Sequence, residues 1–145
     1  MNDMIKLVCV FCLGDSFWGI RAEKIIELIE PDDITQVCNS APSVMGIINL
    51  RGRIITVFDL ALKIGITEEV GDFKRGSMII VDNDEDFIGY WVKEIDGFIQ
   101  PEKDQISPPP IDMSGVEQSL IEGIFNTGDK LVAILNSGKI IDYSK

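Results

Sequence analysis

The chain has 145 residues, with 13 basic against 24 acidic side chains, a net charge of −11 and a hydrophobic share of 46%. That hydrophobic share supports a packed core and sets disorder aside, while the charge repels nucleic acid and anionic membrane. Histidine is absent, which removes Ser-His-Asp and Cys-His catalysis, imidazole-dependent zinc sites and phosphotransfer through histidine.

No signal sequence or membrane insertion is expected. Residues 7–13 are apolar, but the run is too short to span a bilayer and is bracketed by Asp3 and Asp15. Three cysteines, an odd number, read as reduced thiols of a cytoplasmic protein.

Residues 6–13 are rich in Val, Leu, Phe and Cys and read as a strand buried on both faces. A turn at Gly14-Asp15-Ser16 leads to a return arm at residues 17–20. A helical turn over 21–24 and a strand over 25–30, stopped by Pro31, follow. A short strand is expected at 34–37, and Ser43 is placed to cap one helical turn through Met45. Two β-type runs, 47–50 and 54–57, then flank a Gly-centred basic turn that presents Asn49 and Arg51. Asp59 caps a brief helix over 60–64 that ends at Gly65.

The charged stretch 67–75 reads as the link between two halves, without the pattern of a phosphate-cradling loop. A second hairpin, 78–81 with 87–92, encloses the acidic loop 82–86, and later strands are expected at 97–99, 120–125 and 131–135. Three consecutive prolines in 106–110 preclude helix there, and Asn136-Ser137-Gly138 turns the chain into a short terminal piece. Many short strands punctuated by turns predict an all-β barrel or sandwich; no exact internal repeat is visible.

Two motifs invite metal chemistry and fail on geometry. On a strand, Cys9 and Cys12 point to opposite faces, so they read as packing thiols. Asp82-Asn83-Asp84-Glu85-Asp86 opens like a calcium loop, but its sixth and twelfth positions are Phe87 and Lys93 rather than Gly and Glu. It reads as a solvated hairpin tip, and neither a metal nor a cofactor is expected. Asp59 has no partner acid or base at a telling spacing. Arg51 has two readings. It makes a bidentate contact with a partner's carboxylate, or it belongs to a solvated turn or an in-chain contact that closes the hairpin. Gly46 and Gly52 sit where the chain changes direction, so positive φ or close backbone approach is expected there.

The run Val44-Met45-Gly46-Ile47-Ile48-Asn49-Leu50-Arg51-Gly52-Arg53-Ile54-Ile55-Thr56-Val57-Phe58-Asp59-Leu60 closely resembles the signature of CheW-like coupling proteins of bacterial chemotaxis. It departs from the family pattern at Thr56, where Pro is usual. Ile25-Ile26-Glu27-Leu28, the segment from Gly89 to Ile95 (with Lys93 for the usual Asp), the proline loop and Ile121-Glu122-Gly123-Ile124 resemble further family segments in order.

The resemblance implies a single CheW-like domain over residues 1–145, built from two packed SH3-like five-stranded barrels with short helical turns. Their boundaries are expected at roughly 1–66 plus the C-terminal segment, and 74–135. It implies a non-catalytic adaptor between the cytoplasmic tips of chemoreceptors (methyl-accepting chemotaxis proteins) and the regulatory domain of a CheA-type histidine kinase, recruited from the cytoplasm to membrane-bound arrays. By motif, Asn49, Arg51, Gly52, Val44 and Gly46 form or support the receptor-facing region, and Ile25 and Glu27 match partner-binding positions. The alternatives are an adaptor of another chemosensory array, such as one for surface motility, and a small-ligand-binding β-barrel. A start at Met1 and the lack of kinase motifs argue against a segment of a larger kinase.

Overall fold

The computed structural model describes residues 5–143 apart from 39, 112 and 114. In chain order the elements are β1 (Val8–Leu13), β2 (Ser16–Arg21), β3 (Ile25–Ile29), β4 (Val44–Leu50), β5 (Arg53–Asp59), α1 (Leu60–Ile64), β6 (Ser77–Asp82), β7 (Phe87–Val92), β8 (Glu94–Ile99), β9 (Ile121–Asn126), β10 (Leu131–Leu135) and α2 (Ser137–Asp142). The strands form two five-stranded sheets, ordered β8-β1-β2-β10-β9 and β3-β6-β7-β5-β4, and give two SH3-like lobes.

The pairing corrects the expected boundaries. The first lobe combines residues 8–21 with 94–135, and the second is the continuous stretch 25–92. The reason is the pairing of β5 with β7 in parallel, from Thr56↔Ile88 to Asp59↔Trp91, which keeps the signature hairpin and the second hairpin in one sheet. The charged stretch 67–75 therefore joins two strands of one lobe. It wraps the Trp91 indole, whose Nε1 donates to the Phe73 carbonyl at 2.9 Å. A Cβ on Gly71 or Gly76 would approach ring atoms of Trp91 to within 2.3 and 2.4 Å, so only glycine lets the loop lie flat on the ring.

Both lobes share one plan. An antiparallel pair (β1–β2 or β6–β7) gains an edge strand (β8 or β3) on one side. On the other side it gains a parallel strand (β10 or β5) that forms a hairpin with β9 or β4. Gly46-Ile47-Ile48-Asn49 in β4 answers to Gly123-Ile124-Phe125-Asn126 in β9. Each Gly-Ile pair receives one isolated bridge from a preceding segment, Thr35↔Ile47 and Ser107↔Ile124. The repeat is one of topology, with few identical residues.

Local expectations divide by cause. The 3-10 turn at Ala22–Lys24, β3, the hairpin over the acidic loop and α1 are present as expected. Gly65 closes α1 with φ 92°. The expected strand over 34–37 reduces to the Thr35 bridge. The expected helical turn from Ser43 through Met45 is instead the start of β4, where Met45 bulges between the pairs Val44↔Phe58 and Gly46↔Val57. The terminal piece is helical, and the Asn136 side chain accepts from the Gly138 and Lys139 backbone N–H groups.

Alternation of side chains builds three clusters from the same strands. Val8 and Val10 of β1 and Val132 and Ile134 of β10 fill the first lobe, with Phe125. Ile48, Ile55, Val57, Met78, Ile80 and Trp91 fill the second. The opposite faces of those strands meet between the lobes: Cys9, Phe11 and Leu13 join Ile79, Val81, Tyr90, Val92, Ala133 and Leu135. Cys9 and Cys12 diverge as expected, one buried and one half-buried, and burial pushes the Cys9 thiol up to about 11. Lys63 is buried where the lobes meet. Its Nζ donates to the Tyr143 carbonyl at 2.8 Å and lies 4.2 Å from the Phe58 ring centroid, and burial pushes its pKa down.

Asp59 is 1% exposed and uses both carboxylate oxygens. Oδ1 accepts from the Leu62 N–H at 3.2 Å, and Oδ2 accepts from the Gly71 N–H at 2.7 Å. It thus caps α1 and anchors the loop around Trp91, while burial raises its pKa against the pull of these bonds. Asp59→Asn replaces one acceptor by a donor facing an N–H group. It is expected to lower stability by about 1–3 kcal/mol in urea unfolding followed by tryptophan fluorescence; an unchanged midpoint would contradict the anchoring role.

Candidate partner-binding surface

The signature run folds as a two-residue hairpin. Leu50↔Arg53 is the last pair of the β4–β5 ladder, leaving Arg51 and Gly52 as the turn with φ of 52° and 84°. Two consecutive left-handed residues match the twist of the flanking strands. Glycine suits the second position for its φ alone, because nothing lies within 4 Å of where its Cβ would be. Asn49 supports the turn by accepting the Gly52 N–H on Oδ1 at 2.9 Å. Gly46 matters for space as well as φ: a Cβ there would sit 2.4 Å from the Thr35 carbonyl oxygen.

Arg51 reaches across to Glu27 in a bidentate pair, Nη1 to Oε1 at 2.6 Å and Nη2 to Oε2 at 2.9 Å. These residues come from opposite ends of the sheet order, Glu27 on edge strand β3 and Arg51 beyond edge strand β4. The pair therefore links the two edges of the second sheet across the gap between them. The in-chain reading of Arg51 is the one the geometry displays, with its side chain still 71% exposed at the surface. Hydrogen bonding from Arg51 holds the Glu27 carboxyl below its ordinary value and raises Arg51 in turn.

The seven motif residues do not form one cluster. Glu27 and Arg51 meet, and Asn49 and Gly52 share their turn. Gly46 braces the opposite part of β4, and Val44 stands at its start, half-buried. Ile25 packs toward the cluster between the lobes. The bulge that separates Ile25↔Val81 from Glu27↔Ile80 pushes out Ile26, which is 45% exposed.

Three neighbours were not singled out from the motif. Ile54 pairs with Asn49 and is 61% exposed; strict alternation from Ile55 and Val57 marks it as outward-facing. Arg53 lays its guanidinium 3.9 Å from the Phe87 ring centroid. Beside the hairpin, a cleft of about 670 Å3 runs between the two edge strands, floored by Ile48, Leu50 and Met78 and bordered by Glu30, Asp32 and Asp33. The departures from the family pattern are placed simply: Thr56 is half-buried between Ile47 and Ile88, and Lys93 is exposed between β7 and β8.

Among the described residues, no group of three His, Cys, Asp or Glu side chains is arranged to hold a metal, and no helix is long and apolar enough to cross a membrane. At the acidic hairpin tip Asp84, at φ 65°, donates its N–H to Asp82 Oδ1 at 2.9 Å.

Two SH3-like lobes sharing one seam, with a braced hairpin at the surface, define a small two-lobed all-β protein. The CheW-like domain model matches residues 7–145, and the chain belongs to the CheW-like family. It is 32% identical to the chemotaxis protein CheW of Thermotoga maritima, over 93% of this chain and 87% of that protein. Identity to the chemotaxis protein CheW of Helicobacter pylori is 28%, over 97% and 84%. The crystal structure of the scaffolding protein TtCheW from Thermoanaerobacter tengcongensis superposes with a TM-score of 0.84 at 30% identity, covering 97% of this chain and 90% of that one.

The Arg51–Glu27 pair has a pH signature. Because the folded-state pKa of Glu27 is depressed, its stabilisation is present above the ordinary glutamate value and is lost as pH falls through the depressed one. The gap in unfolding midpoint between the wild type and Glu27→Gln should close in acid, as read by urea denaturation across pH. A gap that stays constant into strong acid would mean the pair contributes nothing through Glu27 ionisation.

Proposed function

We propose that this protein is a non-catalytic adaptor that couples the cytoplasmic tips of chemoreceptors to the regulatory domain of a CheA-type histidine kinase. The reading rests on family membership together with one observation: the signature arginine stands exposed on a rigid turn, held in place by Glu27. A guanidinium fixed in one orientation loses little further freedom when a partner docks. A receptor tip is a helical hairpin, and helices are read by apolar grooves flanked by such polar anchors. Asn49, Gly52, Gly46 and Val44 shape this region, and Ile25 and Glu27 tie it to the rest of the lobe.

The absence of histidine and the full engagement of Asp59 by backbone donors fit a binding role. Two partners held by one rigid body meet at raised effective concentration, so kinase control follows from geometry. The proposed location is the cytoplasm, with recruitment to membrane-bound receptor arrays.

The test is calorimetric titration against the kinase regulatory domain and, separately, a receptor-tip fragment, with the cysteines reduced. Saturable binding is expected with both, and absence of binding with folded protein would sink the proposal. Arg51→Glu should keep the fold and lose receptor-dependent kinase control. The charge swap Glu27→Arg with Arg51→Glu separates two roles. Restored control means that the brace is what matters, whereas continued loss means that the partner reads the guanidinium itself.

A further inference from the structure

We infer that the cleft between β3 and β4 receives a cationic, apolar-centred segment of a partner protein. This rests on the adaptor reading and adds the chemistry of what one partner must present. The floor of the cleft is apolar, with Met78 1% and Ile48 7% exposed, and Ile54 stands on its lip. A volume of about 670 Å3 accommodates several side chains.

The rim carries one sign of charge. Glu30, Asp32 and Asp33 are exposed, and no ion pair involving them is present among the described residues. Among the described residues, no lysine or arginine lines the cleft. The two arginines of the adjoining hairpin are turned to other uses, Arg51 to Glu27 and Arg53 to the Phe87 ring. Among the described residues the acids therefore meet no local counter-charge, in a chain whose net charge is −11. An anionic lipid surface or nucleic acid is repelled from such a rim, and an acidic peptide likewise. A segment that places one or two aliphatic side chains on the floor and flanking Lys or Arg beside the rim satisfies both features at once.

At one end of the cleft the Thr35↔Ile47 bridge, with N–H···O distances of 2.9 and 2.8 Å, fixes the acidic connection against β4. Outside the cleft lining, the Arg51–Glu27 pair ties the adjoining hairpin to β3. The walls are thus formed before any partner arrives.

The experiment compares the wild type with the triple variant Glu30→Gln, Asp32→Asn and Asp33→Asn, three shape-conserving exposed changes. Each is titrated against the kinase regulatory domain and the receptor-tip fragment at low and high salt. Expected are wild-type binding to one of the two that weakens with salt, and a triple variant at least about tenfold weaker for that same partner with a flattened salt dependence. Ile54→Ser should weaken the same partner without altering the salt dependence. Wild-type binding that the triple variant reproduces, with equal salt dependence, overturns the cleft assignment and leaves the adaptor reading standing. Failure of the wild type to bind either partner overturns both.

Discussion

Strands that bury both faces are the constraint on which this molecule depends. β1, β6, β7 and β10 each send alternate side chains into their own lobe and the rest into the seam between lobes. Neither face is left over to be solvated, so lobe interior and lobe interface are two sides of one wall. Shifting one of these strands by one residue would exchange its two sets of side chains and disturb both clusters at once. The relative placement of the lobes is therefore fixed by the same register that folds each of them, which suits a part whose task is to hold other parts in position.

The remaining problem of a small sheet is its edges, and the second lobe deals with them at the candidate surface. β3 and β4 end the sheet on opposite sides, yet an ion pair and a backbone bridge among the described residues join their neighbourhoods. The first lobe repeats the device in different residues: Lys130 in the β9–β10 connection reaches Asp96 of edge strand β8 at 2.6 Å. Exposed pairs contribute little energy each. Their value here is geometric, since they settle where the edges lie and so where a groove opens between them.

Much of this was legible in the residues. Hydrophobic runs with turn signals marked nearly every strand, and Asp59 and Gly65 marked the ends of α1 by capping chemistry alone. The pairing of distant strands was not legible, because parallel contacts such as β5 with β7 leave no local mark. That is why the stretch from 67 to 75 read as a link between halves. Its Gly71, with Gly76 just beyond, makes room for the Trp91 ring, a contact visible only once β7 is in place. Likewise Ser43 carries a capping signal, and the bulge at Met45 overrode it in favour of extending β4. For the surface, the motif located Arg51 and Glu27 separately, while their meeting needed the curl of the sheet.

The order of the lobes along the chain has a consequence for biosynthesis. The second lobe is encoded as one uninterrupted stretch, whereas the first is completed only when β9 and β10 return to β2, as in the half-buried Arg21–Glu122 ion pair spanning 101 residues. As the chain leaves the ribosome, every strand of the second lobe emerges before β9 and β10, the strands that complete the sheet of the β1–β2 hairpin. Closing the first lobe brings β10 to β2 across the whole of the second, a contact of long sequence separation that carries a loop-closure cost. The part of the protein that carries the signature hairpin is thus also the lobe whose strands are all synthesised first.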